Sequence, residues 1–119
     1  MSRRLSLASA LLLVPVLAAC TSSTAAGTPV TVTAGKGTCT VAPTSVPAGS
    51  VTITATYTGE GTGEVYLYAQ ENGAFTKILG EVEDLTTTPK SFTAEVTTGA
   101  YEVKCEGGGQ ETRVALTVG

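Results

Sequence analysis

The chain has no histidine and no tryptophan, and Met1 is its only methionine. Without imidazole it lacks the side chain that ordinarily serves as a general base near neutral pH, and the commonest metal ligand. Serine and threonine are plentiful, but nothing is available to activate them as a Ser-His nucleophile would be activated. A copper site built from two histidines and a cysteine is excluded by composition alone. Basic residues are few, which disfavours nucleic acid as a partner. Long apolar runs are scarce: the one from Leu5 to Val16 falls short of the ~20 residues a membrane span needs. No stretch beyond it has helical periodicity. Gly107-Gly108-Gly109 invites a phosphate-loop reading, but no Lys-Ser/Thr completes it and no helix follows, so it reads as a turn. Nothing here marks an enzyme.

What is present begins at the N-terminus. Arg3 and Arg4 precede the apolar run, and small residues lead to Leu17-Ala18-Ala19-Cys20. Charge, apolar core and small residues in that order describe a secretory signal. The Leu-Ala-Ala-Cys ending resembles the lipobox of bacterial lipoproteins. That resemblance implies cleavage before Cys20, lipidation of its thiol, and a protein held on the extracytoplasmic side of the cell membrane by a lipid anchor. The competing readings are a plain signal peptide with an incidental cysteine, or a membrane helix.

On this reading residues 1–19 are the signal peptide. Residues 20–28, small and polar, form a flexible tether with nothing to bury. Residues 29–119 form one domain, large enough for a single core. The mature part carries Lys36, Lys77, Lys90, Lys104 and Arg113 against ten carboxylates, a net charge of −5. Such a surface suits cations or basic partners, and serves solubility equally well.

Period-2 alternation dominates the domain. Candidate strands are Pro29 to Ala34, Gly37 to Ala42, Val51 to Thr58, Glu64 to Ala69, Phe75 to Val82, Lys90 to Val96, Tyr101 to Cys105 and Thr112 to Val118. Asn72-Gly73 is a hairpin turn, because both positions accept positive φ cheaply. Seven or eight short strands at this spacing predict an all-β sandwich. In the strand from Glu64, Tyr66 and Tyr68 alternate against Val65 and Leu67. They form either an exposed aromatic patch or a second inner face, and core packing is the expectation.

With Cys20 lipidated, Cys39 and Cys105 remain, and two thiols in an oxidising compartment usually form one disulfide. Alternation turns both inward, with Val41 and with Val103 and Tyr101 respectively. A Cys pair across two sheets also fits an immunoglobulin-like fold. The absent tryptophan, and a tyrosine four residues before Cys105 in place of two, count against that fold.

Two segments resemble the cupredoxin fold, a Greek-key sandwich: Val41-Ala-Pro-Thr-Ser-Val-Pro-Ala-Gly49-Ser-Val-Thr-Ile and Gly99-Ala-Tyr101-Glu-Val-Lys-Cys105. Closer is the likeness to the cupredoxin-like domain of the EfeO family, an extracytoplasmic component of bacterial iron uptake. It rests on Cys39 ahead of Pro43 and Ala48-Gly49, on Glu64-Val-Tyr66-Leu-Tyr68, on Gly80-Glu81-Val-Glu83-Asp84-Leu85, and on Gly99-Ala-Tyr101 to Cys105. The resemblance implies a metal site for copper or iron from Cys39, Glu64, Glu81 (or Glu83) and Cys105, and an envelope metal-uptake protein as partner. The alternative is a metal-free, disulfide-stabilised interaction module at the cell envelope, in which Glu81, Glu83 and Asp84 are a solvated acidic loop.

Overall fold

A computed structural model of the chain describes residues 27–119. The expected signal peptide, Cys20 and the expected tether up to residue 26 lie outside the described residues. The described chain is all β: β1 (Thr28–Gly35), β2 (Thr38–Ala42), β3 (Ser45–Val46), β4 (Gly49–Tyr57), β5 (Gly63–Glu71), β6 (Ala74–Leu85), β7 (Lys90–Val96), β8 (Gly99–Gly107) and β9 (Gln110–Val118). They form a four-stranded sheet in the order β2-β1-β4-β7 and a five-stranded sheet in the order β3-β9-β8-β5-β6. Both sheets are mixed, since β1 runs parallel to β4 and β3 parallel to β9 while their other neighbours are antiparallel. The expected all-β sandwich is the observed class.

Eight strands coincide with the eight alternating segments of the sequence. The ninth, β3, is new. Pro43 has no N–H to donate to a ladder, so it ends β2. Two residues later Ser45 and Val46 join the other sheet against Thr117 and Val118. Two residues are too few to show a period, but Val46 is buried and pins this crossing into the core.

Strand parity places the core. Val30 and Val32 of β1, Val51 and Ile53 of β4, Val65 and Leu67 of β5, and Val103 of β8 point between the sheets and are inaccessible to solvent or nearly so. The opposite face of the four-stranded sheet is hydroxyl-rich. There Thr52 meets Thr93 at 3.1 Å and Thr54 meets Ser91 at 2.9 Å across β4 and β7. Such cross-strand pairs stabilise a ladder modestly.

The turns follow their residues. Asn72 and Gly73 have φ of 52° and 80° between β5 and β6, and Gly108 and Gly109 have φ of 59° and 75° between β8 and β9. Two successive positive φ values define the hairpin turn whose twist matches paired strands. The glycine run is therefore a turn, as expected. Between β7 and β8, the Tyr101 hydroxyl donates to the Thr97 carbonyl at 2.9 Å and accepts from its N–H at 3.0 Å. That tyrosine corner fixes the connection by bonding the backbone upstream.

Tyr57 closes one end of the core. It is 1% exposed, and its ring lies against Gly59, Gly63 and Gly107, at each of which a Cβ would overlap it. Here glycine is required for close approach and not for backbone freedom. The Tyr57 hydroxyl is buried without a hydrogen-bond partner among the described residues.

Candidate functional site

Cys39 lies on β2, at the edge of one sheet, and Cys105 on β8, inside the other. Their Cα atoms are 5.6 Å apart and the sulfurs are bonded. The inward parity of both residues brought them together, and Cys105 is only 2% exposed among the core side chains. The bond staples the two sheets. A disulfide sulfur is not a thiolate, so neither cysteine is a strong ligand for a metal ion.

Glu64 and Glu81 are elsewhere. Glu64 stands one residue before the inward Val65 of β5, and so projects from the outer face of the five-stranded sheet. Glu81 pairs with Tyr66 in register and shares that outer face. The sheet itself separates both carboxylates from the disulfide. The four-residue set expected from the family resemblance is not assembled, and among the described residues no three of His, Cys, Asp and Glu are grouped to hold a metal ion. Of the expected copper or iron site, the structure brings Cys39 and Cys105 together but not Glu64 and Glu81. The sulfurs bond each other between the sheets while the carboxylate oxygens face outward. Glu83 does not restore the set, because both sulfurs are already committed.

The same parity corrects the expectation for Tyr66 and Tyr68. Neither ring belongs to the core between the sheets. They stack on each other on the outer face, with centroids 5.9 Å apart. Tyr68 is nonetheless only 8% exposed, because two cations lie over the rings. Lys104 Nζ is 4.5 Å from the Tyr66 centroid and 5.1 Å from that of Tyr68, and the Arg113 guanidinium carbon is 5.0 Å from the Tyr68 centroid. A cation over a tyrosine face is attracted by the ring quadrupole.

Register arranges this outer face in rows. Glu111 of β9, Glu106 of β8 and Glu64 of β5 lie side by side across the sheet. The next row is Arg113, Lys104, Tyr66 and Glu81, and the one after it is Ala115, Glu102, Tyr68 and Ile78. Carboxylates directly opposite one another repel, and the cationic row beneath compensates part of that. Lys104 Nζ is 2.8 Å from Glu106 Oε1. Arg113 reaches Glu102 at 3.0 Å and Glu111 at 2.9 Å. Glu64 accepts a hydrogen bond from the Tyr66 hydroxyl.

The titration behaviour follows. The hydrogen bond from Lys104 is the main reason that the Glu106 carboxyl lies below the ordinary carboxylate range, against the opposing effect of its burial. Burial works against the charge of Lys104, but Glu106 and Tyr68 more than offset it and its pKa lies above the usual lysine value. Tyr66 is pushed up, first by its hydrogen bond to the Glu64 carboxylate, then by burial and by the charges of Glu64, Glu106 and Glu81. All three groups therefore keep their neutral-pH charge state, and none is poised to exchange a proton near pH 7. Beside the acidic row, Thr62 to Glu64 and Glu106 to Glu111 line an open cleft of about 390 Å³.

The sequence reading singled out Glu64, Glu81 and the tyrosines but missed Lys104, Arg113 and Ile78, which complete the same surface. The signal was available. Lys104 is one residue from the inward Cys105 and Arg113 one from the inward Val114, so parity places both outside. No family model matches the chain, and comparison with curated proteins finds no match.

Proposed function

We propose that this chain is an interaction module of the cell envelope, a disulfide-locked and cupredoxin-like sandwich that acts by binding another protein and not by carrying a metal. One observation carries the reading. The two cysteines are consumed by each other between the sheets, and the two glutamates that would complete a metal site stand on the far side of the sheet. The cupredoxin-like topology belongs to the same proposal. It is supported by the two parallel strand pairs and by the passage of the chain from one sheet to the other at Pro43.

Membrane attachment is proposed from the Leu17-Ala18-Ala19-Cys20 ending. From Cys20 to Gly27 the chain spans seven residues, about 25 Å when fully extended. A lipidated Cys20 would keep the module close to the bilayer, where a partner need only be another envelope protein.

Two measurements test this. Cys20→Ala should move the protein from the membrane fraction to the soluble one, and retention of the variant in the membrane contradicts the anchor. In a titration of the mature protein with Cu(II), Fe(III) and Zn(II), binding should be no tighter than to the Glu64→Ala/Glu81→Ala variant. A wild-type site at least ~10-fold tighter, lost in that variant, overturns the metal-free reading.

A further inference from the structure

We propose that the outer face of the five-stranded sheet is the docking surface of this module, and that its occupant is a basic protein surface presenting an apolar side chain between lysines or arginines. The inference rests on the interaction-module reading and adds to it the place of contact and the chemistry of the partner.

The two outer faces of the sandwich differ in kind. That of the four-stranded sheet is a ladder of threonine and serine hydroxyls whose cross-strand pairs satisfy one another. It has no charge pattern and no aromatic group to anchor a partner. The five-stranded sheet presents tyrosine, arginine and an exposed isoleucine together. Tyrosine and arginine are the residues most enriched at the centres of protein interfaces. Ile78 is 49% exposed, the one large apolar side chain so exposed among the described residues. In register it is opposite Tyr68, so it borders the tyrosine stack and is not an isolated surface residue. Ile78, on the edge strand, and the cation-covered tyrosine stack beside it thus share one face with the carboxylates.

Charge complementarity selects the occupant. The face holds Glu64, Glu81, Glu102, Glu106 and Glu111, and contains only Lys104 and Arg113 as cations. Both cations are already paired, Lys104 to Glu106 and Arg113 to Glu102 and Glu111. Glu64 and Glu81 have no ion-pair partner among the described residues. Setting Glu64, Glu106 and Glu111 side by side works against sheet stability. A conflict between local energetics and fold, kept without full compensation, is where function is expected. A partner's lysine or arginine would relieve it. An acidic or anionic partner would meet a face with more carboxylates than cations, and opposing fields of one sign suppress association.

The test is binding of a fluorescent peptide that alternates lysine with leucine to the full mature chain, read by anisotropy at low and high salt. Three variants are compared with wild type: Glu64→Gln/Glu81→Gln, Ile78→Ser, and a control pair, Glu71→Gln/Glu95→Gln. The control removes the same charge from outside the face. Circular dichroism verifies that each variant is folded. The face pair should weaken binding roughly tenfold and flatten its salt dependence, Ile78→Ser should weaken it about threefold, and the control should change it less than about twofold. Equal weakening by the two glutamine pairs would mean that the peptide senses only overall charge, and would overturn the proposal. So would failure of wild type to bind the peptide. Those outcomes leave the interaction-module reading standing, since that reading falls on the metal titration instead.

Discussion

Removing both bridging cysteines, as Cys39→Ala/Cys105→Ala, is the perturbation whose size the structure fixes best. The bond links residues 66 apart in sequence. For a ring of that length the chain-entropy model gives about 4 kcal/mol of stabilisation at 25 °C. A small domain has a total stability of only ~5–15 kcal/mol, so the bond supplies a large share. The loss should lower the melting temperature by roughly 15–30 °C, at about 4–8 °C per kcal/mol for a domain of this size. Part of the effect is local, because Cys105 is in the core and alanine there also gives up buried contact. Without tryptophan, the transition is best followed by far-ultraviolet circular dichroism in urea. The reduced wild type should unfold at nearly the same urea concentration as the variant. A loss under ~1 kcal/mol in both would refute the reasoning, since it would mean that the sheets hold together without the staple and that the bond constrains the unfolded chain far less than its loop length requires.

Further expectations concern single side chains. Tyr101→Phe removes the hydroxyl that bonds the part-buried Thr97 backbone and should cost ~0.5–1.5 kcal/mol in urea unfolding, the net contribution of a typical hydrogen bond. Tyr57→Phe removes a hydroxyl that has no partner and should leave stability unchanged or raise it by up to ~1 kcal/mol; a clear loss would show that the hydroxyl is satisfied. Gly107→Ala places a methyl into the Tyr57 ring and should destabilise by ~1–3 kcal/mol, an effect absent if the ring can move aside. The folded-state pKa of Glu106 is depressed by Lys104, so its contribution is present above the ordinary carboxylate range and is lost as pH falls through the folded value. Acid melts of Lys104→Met should therefore show a weaker pH dependence than wild type, and identical slopes would contradict the pairing.

Most of the architecture was readable from alternation. The strand from Lys90 to Val96 has its expected bounds, β2 starts one residue later than expected, β4 starts two earlier and ends one earlier, and the others extend past theirs by one to three residues. Parity also turned Cys39 and Cys105 inward, and their bond follows from it. The same rule, applied strictly, already separated Glu64 from Cys105. Glu64 precedes an inward valine, so a set joining its carboxylate to an inward sulfur would have had to pass through a sheet. The family resemblance suggested that set, and the side-chain period argued against it. Tyr66 and Tyr68 were harder to place. Parity puts them outside, but their low exposure comes from Lys104 and Arg113 on strands that only the sheet order brings alongside. The order of strands in a sheet depends on long-range pairing, which local period does not encode. β3 was missed for another reason: two residues after a proline show no period at all.

The central claim is that the two sulfurs serve the fold and not a ligand. The most direct measurement is alkylation of the unreduced, denatured full chain, followed by mass spectrometry of its peptides. The account predicts no alkylation at Cys39 or Cys105 and one linked peptide pair joining them. Alkylation of both residues in protein isolated under non-reducing conditions, with no linked pair, would contradict it.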